Sequence, residues 1–186
     1  MIGKKNVVFG FLFLVITAAL GPYMIFNFVP GVGDAQGKKQ ETVGRLQNLK
    51  LNNFEEDLEP LTAEQIAKAN TDGLLALNTL INAEQPIDII KGGPHAHGNL
   101  ESLLNIAVGI ALCFIALPGL FKQIISWIFI AGTLLHSGML FLIALYQMEL
   151  ANTILNTGVG PALILLGLLL SGIAAAIGFK GEFVRD

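Results

Sequence analysis

The sequence predicts an all-α integral membrane protein: a four-helix transmembrane bundle with an extracytoplasmic helical insert between its first two spans. Of its 186 residues, 53% are hydrophobic and only 13% are charged, whereas a soluble domain carries about 25% charged residues. The apolar residues are concentrated in four runs, each near the length of about 20 residues that crosses a bilayer. With a net charge of −3 and no basic patch, the chain gives no reason to expect nucleic acid as a partner. The expected surrounding is the lipid bilayer.

The four apolar runs give the predicted organisation of the chain. The first, at 6–29, is longer than the apolar core of a secretory signal and is not followed by an Ala-x-Ala cleavage site. It is therefore predicted to be a retained helix. The other runs lie at about 99–120, 123–146 and 158–179. The chain accordingly divides into a first transmembrane helix at 1–30, an insert at 31–98, and three further transmembrane helices with a short tail at 99–186.

The insert is predicted to contain one amphipathic helix at about 62–84. Thr62 and Gln65 have the spacing of a capping box, in which each side chain bonds the backbone amide of the other residue. Apolar positions then recur at helical spacing, with Gly73 as a weak point. The helix is expected to lie along the outer membrane face or over the mouth of the bundle. The stretch GVGDAQG at 31–37 is predicted to be a linker.

Basic residues in the short segments predict the orientation of the spans. They occur at the N-terminus, between spans two and three, and in the tail, whereas the loop between spans three and four has none. Both termini are therefore expected in the cytoplasm, with the insert at 31–98 outside a cell (inner) membrane. The residues concerned are Lys4, Lys5, Lys122, Lys180 and Arg185.

A polar stripe runs along the predicted second span. Its members are four residues apart and so share one face of a helix. A buried polar group in hydrocarbon costs several kcal/mol unless it is paired, so this face is expected to point into the bundle. An ionisable residue inside a membrane span indicates a functional site. The stripe consists of His97, Glu101, Asn105, Gly109 and Cys113.

The predicted third span carries a second stripe: Gly132, Thr133, His136, Ser137 and Leu140. Because spans two and three run in opposite directions, the helical rise places His136 near the depth of Asn105. His97 is expected nearer the outer surface. The two stripes together predict one pocket in the outer half of the bundle, lined by His97, Glu101, Asn105 and His136.

Imidazoles in an apolar helical bundle suit haem b, whose macrocycle needs apolar walls. His97 and His136 are the candidate metal ligands, and Glu101 and Asn105 are further cofactor-binding candidates. A copper or zinc site is a second interpretation, in which His95 and His97 place two imidazoles close together and Glu101 and His136 are the further ligands. In a third, His95 and His97 cap the second span and bond loop carbonyls, and His136 only forms a hydrogen bond to a neighbouring helix. The structural interpretation is favoured for His95, which lies off the stripe, and for Glu101, whose carboxylate stabilises a helix N-terminus.

Span four and the single cysteine predict packing rather than chemistry. Small residues in span four have the spacing that permits close helix contact, so this span is assigned to assembly, either in a homo-oligomer or with other membrane subunits. Cys113 is assigned to packing. The alternative function is therefore a non-catalytic accessory subunit of a larger membrane complex. The small residues are Gly167, Ser171, Gly172, Ala175 and Ala176.

The stretches HAHGNLESLLN, LPGLF, HSGMLF and GPALILLGLLLSGIAAAIGF resemble the styrene oxide isomerase family of small four-helix membrane proteins. That family has an Ala-His pair, a Leu-Asn pair a few residues on, and a Leu-Pro exit from its second helix. The resemblance implies haem b held by His97, with Asn105 as a nearby polar partner, and oligomers with haem near subunit contacts.

In that family, ferric iron acts as a Lewis acid that opens epoxides into aldehydes. The third-helix aspartate and tyrosine of the family correspond to Gly132 and Leu140 in this sequence. The resemblance thus implies haem binding with altered catalytic positions, suited to electron transfer or to changed Lewis-acid chemistry. No catalytic residue is assigned.

Overall fold

The fold is that of a computed structural model, which describes residues 1–184. Helices make up 83% of it, which confirms the all-α class. The chain forms two compact units: unit 1 consists of Met1–Gly21 and the chain from Ile89 onward, and unit 2 is Pro22–Asp88. Arg185, used above to predict orientation, lies outside the described residues.

Nine α-helices and one small hairpin make up the described chain. A kink with non-helical backbone at Gly93, in the segment Lys91–His95, and a wide π-helical turn at Leu134–Gly138 interrupt the helical path in unit 1. In chain order the elements are α1 (Lys4–Ala18), α2 (Leu20–Asn27), α3 (Val29–Leu51), β1 (Glu55–Glu56), β2 (Glu59–Pro60), α4 (Ala63–Ile90), α5 (Ala96–Leu112), α6 (Gly119–Thr133), α7 (Met139–Tyr146), α8 (Glu149–Asn156) and α9 (Val159–Gly178).

Three helical stretches among residues 1–184 are long and apolar enough to cross a membrane, which is consistent with a membrane protein. They are Lys4–Asn27, Gly119–Tyr146 and Val159–Gly178, and they correspond to the first, third and fourth predicted runs. The loop predicted between the third and fourth runs contains the short helix α8.

The predicted second span ends earlier than expected. The boundary near residue 120 is wrong, because α5 stops at Leu112. Two backbone hydrogen bonds join the following segment to the end of α9: the Ala116 amide donates to the Gly178 carbonyl, and the Lys180 amide donates to the Phe114 carbonyl, both at 2.7 Å. These bonds require extended backbone. Whether α5 crosses the membrane stays a prediction.

The helices α1 and α5 run antiparallel in very close contact. A Cβ atom built on Gly98 would lie 2.3 Å from Cγ2 of Thr17, and one on Gly109 would lie 2.7 Å from the carbonyl oxygen of Gly3. Only glycine leaves room for backbones at this separation. The two glycines therefore fix the register of α5 against α1, at opposite ends of the contact.

The core of unit 1 lies where α5, α6 and α9 meet, and Phe129 and Ile125 are completely buried there. A Cβ atom on Gly167 would lie 2.8 Å from the Phe129 ring, whereas one on Gly172 would meet open space. Gly167, predicted to serve assembly between chains, thus packs against α6 of its own chain. Assembly through the remaining small residues of α9 stays a prediction.

In unit 2 the predicted linker at 31–37 is wrong, because these residues belong to α3. Pro30 occupies the first turn of this helix, where proline is well tolerated. Further along, a Cβ atom built on Gly73 of α4 would lie only 2.6 Å from Cδ1 of Leu46 on α3. The glycine that looked like a weak point in the sequence thus makes room for a neighbouring helix.

The predicted helix of the insert is confirmed as α4, although it continues six residues past position 84 to Ile90. Its capping box is also confirmed. The Thr62 amide donates to Oε1 of Gln65 at 2.8 Å, and the Gln65 amide donates to Oγ1 of Thr62 at 3.2 Å. These bonds satisfy amides that the first helical turn leaves free.

A small hairpin connects α3 and α4. β1 and β2 pair antiparallel, and the turn residues Asp57 and Leu58 have φ values of 54° and 66°, the left-handed pair typical of a type I′ turn. Arg45 of α3 donates hydrogen bonds to both carboxylate oxygens of Glu56, at 3.1 and 2.8 Å. The hydrogen bond with Arg45 is the main reason why the pKa of Glu56 lies below its ordinary value.

Candidate metal centre

Three side chains that can hold a metal ion converge in unit 1. His97, Glu101 and His136 each offer a ligand atom, and these atoms all lie within 4.8 Å of one another. His97 is exposed, Glu101 is only 4% exposed, and His136 is half-buried. The cluster therefore has one accessible side, at His97, and one closed side, at the carboxylate.

Local helix geometry positions each member of the cluster. His97 and Glu101 are four residues apart on α5 and so share one face. His136 is the central residue of the π-helical turn Leu134–Gly138, and the kinked segment Lys91–His95 ends immediately before α5. A π-helical turn adds a residue to the helical path and often occurs at functional sites.

Glu101 joins the two helices through its carboxylate. Oε1 accepts a hydrogen bond from Nδ1 of His136 at 2.5 Å, and Oε2 accepts one from Oγ of Ser137 at 2.7 Å. Because Nδ1 of His136 is engaged in this hydrogen bond, Nε2 is the ring nitrogen that remains available to a metal ion.

The two imidazoles contact each other directly. The ring centroids of His97 and His136 are 4.9 Å apart, with an angle of 63° between the ring planes. This edge-to-face contact brings the nitrogen atoms of two different helices within reach of one small ion. It leaves no room for a macrocycle between the rings as they stand.

Asn105 lies one turn deeper than the cluster, and both polar atoms of its side chain form hydrogen bonds. Its Nδ2 donates to the Glu101 carbonyl at 3.0 Å and to Oγ1 of Thr133 at 2.9 Å. Its Oδ1 accepts a hydrogen bond from Nδ2 of Asn6 at 3.0 Å. Asn105 therefore connects α1, α5 and α6. It lies at the level of Thr133, whereas the sequence placed it at the level of His136.

Of the four residues predicted to line one pocket, the structure thus brings three together. His95, for which the structural interpretation was favoured, has Nδ1 2.9 Å from the Thr17 carbonyl oxygen. The thiol of Cys113 bonds the Gly109 carbonyl at 3.4 Å, as expected for packing. Gly132, a member of the predicted stripe of span three, lies against Ile164 of α9.

Sequence reasoning missed Asn6 and Ser126, which complete the buried polar network. Asn6 is fully buried; it donates to the Ser126 carbonyl at 3.0 Å, and the Ser126 hydroxyl donates to Oδ1 of Asn6. The available signal was an amide at the start of the first apolar run. Burying an unpaired polar group is costly, and this argument identified Asn105. The same argument applied to Asn6 would have predicted that its amide also has a partner.

The cluster offers two nitrogen donors and one carboxylate, a set that suits first-row divalent metals such as zinc and ferrous iron. Three protein ligands leave a coordination position open, so a bound ion is able to polarise a further ligand. No protein-family profile, curated protein or solved structure matches this chain.

Proposed function

We propose that this protein is a membrane protein that binds one divalent transition-metal ion through His97, Glu101 and His136. The observation that carries the proposal is the convergence of these three ligand atoms within 4.8 Å, from two helical segments. Two further facts support it. The carboxylate is buried, and Ser137 holds its second oxygen.

The distances are close to those that one ion requires. Zinc binds nitrogen and oxygen at about 2.0–2.2 Å, so two ligand atoms of a tetrahedral site lie about 3.3–3.6 Å apart. The three ligand atoms of the cluster all lie within 4.8 Å of one another, so the largest separation is somewhat greater than this. Side-chain movements on the order of 1 Å therefore suffice for all three groups to bind one ion.

Metal ions compete with protons for imidazole ligands, so metal binding should weaken as the pH falls. The open coordination position points to Lewis-acid chemistry on a small ligand that enters beside His97, the exposed member of the cluster.

A metal titration of the purified chain tests this proposal. We expect one zinc or cobalt ion per chain, with cobalt giving the visible absorption bands of a low-coordinate site. His97→Ala and His136→Ala should each bind substantially less metal, because each removes one of three ligands. His95→Ala is the matched control, since its ring bonds the Thr17 carbonyl instead. Wild-type protein that binds no more metal than His97→Ala would overturn the proposal.

Haem b is the second candidate, and the exposure of His97 close to an exposed leucine favours it. Leu100, one turn along α5, is 56% exposed. A haem bound by this imidazole alone would lie against that apolar surface. Haem held by both His97 and His136 requires their rings to separate, because they are in contact.

An absorption spectrum of protein expressed with ample haem distinguishes the two candidates. A Soret band lost in His97→Ala supports haem, whereas metal uptake without a Soret band supports the ion. If neither haem nor metal binds, the accessory-subunit interpretation is favoured. His136→Ala reports whether the second imidazole takes part, through a change from a low-spin to a high-spin spectrum.

The arrangement we propose in the membrane is a bundle of four spans, with α5 as the fourth member. Lysines gather at one end of unit 1: Lys5 bonds Gln123, and Lys122 donates to the Leu112 carbonyl at 3.4 Å. Lysine accumulates on the cytoplasmic side of membranes. This end is therefore assigned to the cytoplasm and the metal centre to the opposite half. A reporter enzyme that works only in the cytoplasm should therefore be active when it is fused to the C-terminus.

A further inference from the structure

The structure points to a second binding site, and we propose that it holds one anionic phospholipid. A groove of about 630 Å³ runs between α1 and α6, at the lysine-bearing end of unit 1. Lys4 and Lys5 lie at one end of it, and its walls are almost entirely apolar. This site is separate from the His97 cluster and does not depend on the proposed metal.

The ammonium of Lys5 is held at the groove by two uncharged groups. Its Nζ lies 4.1 Å from the centre of the Trp127 ring, and it donates a hydrogen bond to Oε1 of Gln123. A π-face and an amide oxygen fix the position of a cation without neutralising its charge. Lys4, the neighbouring residue, is exposed and lines the same groove. Two positive charges are thus available to one phosphate.

The rest of the groove suits an acyl chain. Val8 and Leu12 of α1 continue along its wall from Lys5, and Trp127 and Ile130 of α6 form the other side. From Lys5 to Leu12 the helix rises about 10 Å, which accommodates the upper part of an acyl chain. Leu12 and Trp127 are 64% and 58% exposed. Both helices belong to stretches apolar enough to cross a membrane, so this wall would face lipid.

The combination of charge and apolar wall selects the occupant. A phospholipid with a net negative headgroup satisfies the lysines and the apolar wall at once. A zwitterionic headgroup brings its own cation next to the lysines and gains less. Two lysines near a membrane surface, each favouring an anionic lipid by about fivefold, give a preference of about 25-fold over phosphatidylcholine.

The single tryptophan of the chain allows a direct test. The 186-residue chain is reconstituted in phosphatidylcholine vesicles that contain increasing mole fractions of either brominated phosphatidylglycerol or brominated phosphatidylcholine. Bromine quenches indole fluorescence only at short range, so quenching of Trp127 reports which lipid occupies the groove. We expect phosphatidylglycerol to quench at about one twenty-fifth of the mole fraction that phosphatidylcholine requires. Equal quenching by the two lipids would overturn the proposal and indicate ordinary boundary lipid.

A pair of variants assigns the preference to the groove. Lys4→Gln/Lys5→Gln should remove the excess quenching by phosphatidylglycerol. The matched control is Lys38→Gln/Lys39→Gln, which removes the other lysine doublet, on α3, and should leave the excess unchanged. An excess that persists in the first variant or disappears in the second would contradict the site. If a variant does not fold, the comparison of the two brominated lipids with the wild-type protein still tests the proposal.

Discussion

The hydroxyl of Ser137 donates a hydrogen bond to Oε2 of Glu101 at 2.7 Å, so the carboxylate is held from two sides, by Ser137 and by the imidazole of His136. Both oxygens of a nearly buried carboxylate are thereby fixed before any metal binds. The ligand geometry of Glu101 consequently depends on a neighbour that is not itself a ligand.

Ser137→Ala should weaken metal binding by about 10–100-fold, the usual effect of removing a hydrogen bond to a metal ligand. Competition with a chromophoric chelator measures the affinity. Ser102→Ala is the control, because its buried hydroxyl bonds the Gly98 carbonyl and not the carboxylate. Unchanged affinity in Ser137→Ala would show that the hydroxyl does not orient Glu101.

Asn105→Leu should lower the free energy of unfolding by about 2–3 kcal/mol, because Asn6 and Thr133 lose a buried hydrogen-bond partner. Denaturation in mixed micelles, followed by circular dichroism, measures the change. Asn27→Ala should have an effect below about 0.5 kcal/mol, since its exposed amide bonds only the Tyr23 carbonyl of its own helix.

The same network predicts non-additivity. Asn6→Ala combined with Asn105→Leu should cost less than the sum of the single changes, because the two amides bond each other. Strict additivity would mean that this hydrogen bond does not contribute to stability.

Gly109→Ala should destabilise the protein by about 1–3 kcal/mol. The new methyl group would lie 2.7 Å from the Gly3 carbonyl oxygen, a backbone atom that moves only if α1 and α5 separate. Gly172→Ala on α9 is the control: nothing lies within 4 Å of its added Cβ, so higher helix propensity should leave stability equal or slightly raised. Similar unfolding midpoints for the two variants would refute the close contact.

Arg45→Met should raise the pKa of Glu56 towards its ordinary value, because the variant loses the hydrogen bond that lowers it. Nuclear magnetic resonance of the labelled carboxyl carbon measures the titration, and Lys50→Met on the same helix is the control. The pKa of folded Glu56 is depressed, so the stabilisation by this pair is complete above the unfolded-state pKa. It is lost as the pH falls through the folded-state value. An unchanged titration in Arg45→Met would mean that the pair does not form.

Local rules identified most helices and the residues of the site. The apolar runs and the capping box of Thr62 and Gln65 depend on neighbours within one or two turns, so the chain alone reveals them. The stripes of His97, Glu101 and His136 were identified because burying polar groups in an apolar run requires partners. The same rules failed at residues 31–37, where glycines indicated a linker and the chain continues as α3.

The sequence by itself thus determined which stretches are apolar enough for a membrane and which polar side chains need partners. Only the tertiary structure decided which partners meet: His136 with Glu101, and Thr133 with Asn105. The reason is physical. Contacts between helices depend on their relative shift and rotation. These are set here by the close approach of Gly98 to the Thr17 side chain, by that of Gly109 to the Gly3 backbone, and by the π-helical turn around His136. The helical period of 3.6 residues, on which the sequence prediction was based, predicts neither these close contacts nor the π-helical turn.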